Sequence, residues 1–138
     1  MKTLPPVNHH FLLEVSMEDL HKDVATWLSD IHFWRVELSF FQKLVEKIAI
    51  KTTSIEDKQR VSHFQNLIIY YQGEVLDQLK HGVHAHEVYL KSLLEKDDTV
   101  NDQSYRETHQ KLAGQVQSFA HAMKFYKTDL FNFSERVL

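Results

Sequence analysis

After Pro6 the chain offers only two stretches where a helix has reason to stop, Lys51-Thr52-Thr53-Ser54 and Asp97-Asp98-Thr99-Val100-Asn101. Its 138 residues include three glycines (Gly73, Gly82 and Gly114) and two prolines (Pro5 and Pro6). Reversing a chain tightly depends on glycine, proline and short polar side chains, so this one cannot turn often. Folds built from many short strands need turn signals about every 8–12 residues and are excluded. What remains is a small number of long segments.

Within those segments the apolar residues recur in alternating steps of three and four. The first reads Leu13, Met17, Leu20, Val24, Trp27, Ile31, Trp34, Leu38, Phe41, Val45, Ile48, and the last Tyr105, His109, Leu112, Val116, Phe119, Met123, Tyr126, Leu130, Phe133, Val137. That is the stripe of a helix packed along its whole length, and alternation at period two is nowhere sustained. Ser16, Ser54 and Thr99 each stand where an N-cap belongs, with acidic residues within the following turn. Their side-chain oxygens can take a free backbone N–H while the acids favour the positive helix end.

The middle segment is less regular. Its best seam runs Ile55, Ser62, Gln65, Ile69, Gln72, Leu76, Leu79, Val83, His86, Leu90, Leu93 and keeps phase across Gly73 and Gly82. One helix, bent near Gly82, is therefore expected; a true break near Gly82 would give a four-helix bundle instead. The reading is a single all-α domain over residues 1–138, with residues 1–15 a partly ordered N-terminal segment. Helices at about 16–50, 54–97 and 100–137 form an elongated antiparallel up-down-up bundle with coiled-coil-like packing.

Several function classes fall away on composition. There is no cysteine, which removes disulfides, Cys-ligated zinc, iron–sulfur clusters and thiol catalysis. So few glycines leave no phosphate-cradling or dinucleotide-binding loop. A net charge of −3 without Lys/Arg blocks gives no footprint for nucleic acid or an anionic membrane. No window approaches the length of apolar run that spans a bilayer. The first residues lack the pattern of a secretory leader, so a cytoplasmic location is expected. A serine nucleophile has no strand-turn-helix elbow to sit on, and the pattern speaks against an enzyme.

Two clusters are candidates for function. Phe33, Val36, Phe40 and Leu44 lie off the seam of the first helix, and Phe64, Ile68, Tyr71 and Val75 off that of the middle one. Antiparallel register sets Phe33 beside Tyr71, Val36 beside Ile68 and Phe40 beside Phe64. The two stripes either widen the core or make an apolar patch for a second copy or a partner helix. The favoured function is a non-catalytic interaction or scaffold protein, a homodimer joined through Phe33, Val36, Phe40, Phe64, Ile68 and Tyr71.

The second cluster is polar. Of ten histidines, His86 and His109 fall on seam positions. The same register puts residue 86 opposite roughly 111 on the last helix and roughly 18 on the first, to within a turn. His86, His109 and a group drawn from Glu14, Glu18 and His21 would share a layer. The alternative function is therefore a metal- or pH-responsive bundle centred on His21, His86 and His109 with Glu18. Glu18-Asp19-Leu20-His21 is the one E-x-x-H in the sequence, whereas dinuclear bundles use two, so any metal would be a single divalent ion. No cofactor is the simpler expectation.

Overall fold

A computed structural model describes residues 16–95 and 102–138; Glu14, Thr99 and the N-terminal segment lie outside that set. The elements are α1 (Met17–Lys51), α2 (Ile55–Tyr70), a π-helical turn (Tyr71–Val75), α3 (Leu76–Glu95) and α4 (Gln103–Val137). α2, the π turn and α3 follow one another without a gap. The protein is thus all-α, with three long helices, and no strand occurs among the described residues. None of these helices is long and apolar enough to cross a membrane.

The helix starts use short polar side chains. Ser16 Oγ accepts from Asp19 N at 3.0 Å, and Ser54 Oγ accepts from Asp57 N at 3.1 Å. In the turn after α1, Thr52 donates from both N and Oγ1 to Ala49 O, which closes off that helix. Asp102 immediately precedes α4. Its carbonyl accepts from Arg106 N and its carboxylate from Arg106 Nε, each at 3.0 Å.

The middle helix departs from the expected seam. Leu76 N bonds five residues back to Tyr71 O, one residue further than an α-helix reaches, so the turn at Tyr71–Val75 absorbs an extra residue. Before it the buried residues are Val61, Phe64 and Ile68; after it they are Leu76, Leu79, Val83, His86, Leu90 and Leu93. Ile55 and Ile69, placed on the seam by strict periodicity, are largely exposed. The widened turn also leaves a carbonyl accessible: Gln72 O accepts from Arg35 Nη1 at 3.3 Å, and Arg35 is ion-paired with Asp77. The irregularity therefore falls at Gly73, not at Gly82, which lies inside α3.

The described residues make two compact units. One comprises residues 16–30, 79–95 and 102–118, the other residues 31–78 and 119–138. In the first, α3 and α4 run antiparallel: Gly82 meets Leu112, His86 meets His109 and Tyr89 meets Tyr105. Leu20, Leu90, Leu93 and Tyr105 cluster there, with Met17 and Tyr89 packed against them.

In the second unit α2 runs antiparallel to α4, and α1 parallel to it. Arg60 pairs with Asp129 (2.7 Å) and Arg136 with Asp57 (2.6 Å), while Lys127 pairs with Glu37 (2.9 Å). Between these ion pairs sits an aromatic core. Phe64 packs edge-on against Tyr126, with centroids 5.7 Å apart, and beside Phe133 at 5.5 Å. Tyr126 is buried, and its hydroxyl donates to Phe64 O at 3.1 Å. Trp34 meets Phe119 edge-on at 4.9 Å. Burying each such ring stabilises by about 1.5–3 kcal/mol.

Gly82 and Gly114 differ in what surrounds them. A Cβ at Gly82 would stand 3.3 Å from Leu112 Cδ2, whereas one at Gly114 would meet nothing within 4 Å. Gly114→Ala should therefore stabilise the protein by about 0.5–1 kcal/mol in chemical denaturation, through helix propensity alone. Gly82→Ala should gain less or lose, because Leu112 must give way. Equal gains at both positions would contradict the close approach of α3 to α4.

Candidate functional site

Three helices of the first unit meet at a polar layer. α3 presents His86 between Val83 and Leu90 on its buried face, α4 presents His109 between Tyr105 and Leu112, and α1 presents Asp23 beside Val24. His86 Nε2 lies 2.9 Å from His109 Nδ1, and His109 Nε2 lies 3.0 Å from Asp23 Oδ2. Both rings are buried, at 2% and 3% exposure, while the Asp23 side chain is more than half exposed. A hydrogen-bonded chain thus leads from a carboxylate at the surface to an imidazole in the core.

Aromatic rings hold this chain in place. The His86 ring stacks on Tyr105 with centroids 3.9 Å apart and planes 7° from parallel. The Trp27 ring lies 4.5 Å from that of His109. The protons follow from the partners. A carboxylate only accepts, so His109 carries its proton on Nε2 and presents a lone pair at Nδ1. His86 then donates from Nε2, which leaves its own Nδ1 as a lone pair. That atom and the Tyr105 hydroxyl are both buried, and neither has a hydrogen-bond partner among the described residues.

Burial sets the ionisation here. Loss of solvent, and next the neighbouring His109, push His86 down to about 4. Burial also lowers His109, although the hydrogen bond and the charge of Asp23 work the other way. Burial pushes Tyr105 up to about 12. At neutral pH both imidazoles are uncharged, as the proton assignment above requires.

His86 and His109 therefore meet as the periodicity implied, but their companion on α1 is Asp23. His21 and Glu18 lie on the exposed face of α1, where with Met17 they line a groove of about 720 Å³ whose other wall is Glu87, Val88 and Lys91 of α3. The contact on α1 lies five residues beyond the expected position 18, nearly a turn and a half along the helix. Both nitrogens of His109 are engaged in hydrogen bonds. Among the described residues no three His, Asp or Glu side chains are grouped to hold a metal ion.

The apolar stripes divide in the second unit. Phe64 and Ile68 are 1% and 3% exposed and belong to the core, and Tyr71 is half-buried, edge-on to Phe119 at 5.2 Å. The expected exposed stripe on the middle helix is thus a core stripe, displaced by the extra residue of the π turn. Phe33, Val36 and Phe40 are exposed, at 58%, 50% and 59%. They do not stand alone: Phe41 is edge-on to Phe40 at 6.1 Å and to the half-exposed Phe131 of α4 at 5.7 Å.

Comparison with protein families, with curated proteins and with solved structures returned no match.

Folding holds His86 below its ordinary value, so as pH falls the unfolded chain binds the proton first. Its contribution to stability is full above pH 6.5, declines below it, and is lost near pH 4; the loss is on the order of 3 kcal/mol. His86→Leu should cost about 1–3 kcal/mol at neutral pH by stranding His109 Nδ1, and should flatten that decline in thermal melts across the acid range. Tyr105→Phe should raise stability by about 1 kcal/mol in the same melts, since it removes a buried hydroxyl that has no partner among the described residues and keeps the stack.

Proposed function

We propose that this protein is a non-catalytic, all-helical interaction protein that self-associates through the exposed aromatic stripe of α1. The observation that carries this reading is the exposure of Phe33, Val36 and Phe40 on one stripe of α1. Scattered apolar residues on a surface need no explanation, whereas a contiguous patch of large ones marks a contact.

The occupant the spacing suits is a second copy. Phe33 and Phe40 lie three residues before and four after Val36, so a copy of α1 laid antiparallel across the stripe sets Phe33 of each chain against Phe40 of the other. Val36 then falls near the two-fold axis, as in a self-complementary dimer contact. The Glu37–Lys127 ion pair, at the edge of the stripe, would form part of a polar rim.

Analytical ultracentrifugation from micromolar to millimolar concentration tests this reading. The protein should sediment as a dimer whose population rises with concentration. The double variant Phe33→Glu, Phe40→Glu should sediment as a monomer with unchanged helicity, because neither ring is part of the core, and its melting temperature should no longer rise with concentration. A monomer at every concentration, or a dimer indifferent to both substitutions, would overturn it.

A further inference from the structure

We propose that the Asp23–His109–His86 chain is a binding site for a single proton, taken up at His86 Nδ1 and held as charge on His109 against Asp23. The inference rests on the hydrogen-bond geometry of the first unit and is independent of the self-association reading.

At neutral pH His109 donates to Asp23 and His86 donates to His109, which leaves one lone pair, at His86 Nδ1. A proton that binds there allows the His86 Nε2 proton to pass to His109 Nδ1. His86 is then neutral with its proton on Nδ1, and its Nε2 accepts. His109 carries a proton on each nitrogen, donating to His86 at 2.9 Å and to Asp23 at 3.0 Å. Both hydrogen bonds survive with the one between the rings reversed, and no heavy atom has to move. The charge comes to rest on the ring that has a carboxylate beside it, not on the inner one.

A second proton has no such place. With both rings doubly protonated, two N–H groups face each other across 2.9 Å and neither accepts. The rings must then part, and α3 separates from α4 at this layer. The chain holds one proton silently and opens on two.

Other charged groups around the layer set where this happens. Asp23 faces it from α1 and Glu87 adjoins His86 on α3, both favouring a cation. Arg106 of α4 opposes it, and its guanidinium is itself ion-paired with Asp102. Lys111 of α4 and Tyr89 of α3 lie with His86 along one groove, and Tyr105 covers the inner ring face.

Imidazole nitrogen NMR of the intact protein across the acid range decides the matter. At neutral pH, His86 and His109 should both carry the proton on Nε2. On acidification one proton should enter, His109 should become doubly protonated, and His86 should change to the Nδ1 tautomer in the same step while the fold persists. Asp23→Asn should move that uptake to lower pH by about 1–3 units, as loss of an adjacent opposite charge does. Asp23 is more than half exposed, so this variant leaves the core intact. Protonation of His86 before His109, uptake without the tautomer change, or a titration unmoved in Asp23→Asn would each overturn the proposal.

Discussion

Once one side chain of an α-helix is aimed, all the others are, at 100° per residue. A helix whose apolar residues change phase by one position midway must therefore absorb a residue somewhere or turn its core face to solvent. The middle helix meets this constraint at Tyr71–Val75. Without the wide turn, either Val61, Phe64 and Ile68 or Leu76, Leu79 and Val83 would face away from α1 and α4. The turn has a consequence of its own, because the Leu76 amide reaches past Gln72 to Tyr71. Arg35, anchored by Asp77, supplies a donor to the Gln72 carbonyl. One ion-paired side chain on α1 thus supports the phase change on which the buried face of the middle helix depends.

This explains what was legible in the sequence and what was not. The stripes of α1 and α4 could be read directly, because nothing interrupts their period, and Trp27, Trp34 and Phe41 are buried as their spacing implies. The middle helix contained two competing stripes, one through Ile69 and Leu76 and the other through Val61, Phe64, Ile68 and Tyr71. Strict periodicity selects the first because it runs through without a fault. The signal for the π turn was that the second stripe is the more apolar before Gly73 and the first after it, so the two join only if one residue is dropped. Long-range pairs were beyond reach. Arg60, four residues after Glu56 and well placed to pair with it, reaches instead to Asp129 on α4.

The polar layer was half legible for a related reason. Two histidines on seam positions are conspicuous, and antiparallel register brings them to one height. Their third member was not, because Asp23 lies beside the seam of α1 with its carboxylate partly in water, one of many acids on a solvated face. A register that is off by a turn or more exchanges such residues freely. Only His109 Nε2, which needs an acceptor once Nδ1 is taken, singles out Asp23 from Glu18 and Asp19.

The two units depart from an ordinary helical bundle in opposite senses. The first buries imidazoles where leucine would pack without titrating, and the second exposes phenylalanines where lysine or glutamate would be soluble. An all-leucine layer and a charged surface would let the chain fold without either departure. A buried polar chain is worth having for stability only when every member is satisfied, and here His86 Nδ1 and the Tyr105 hydroxyl are not. An apolar layer would tolerate small slips of α3 along α4, whereas a chain of two hydrogen bonds ending on α1 accepts a single register. Some of its cost is therefore offset by specificity, but specificity does not require groups that titrate, since an asparagine pair would fix register at any pH. What the histidines add over such a pair is a dependence on protons. The phenylalanines likewise add, over any charged surface, an apolar face to offer. Local rules fail here in two places, and at both the residues present suit chemistry that folding alone does not call for.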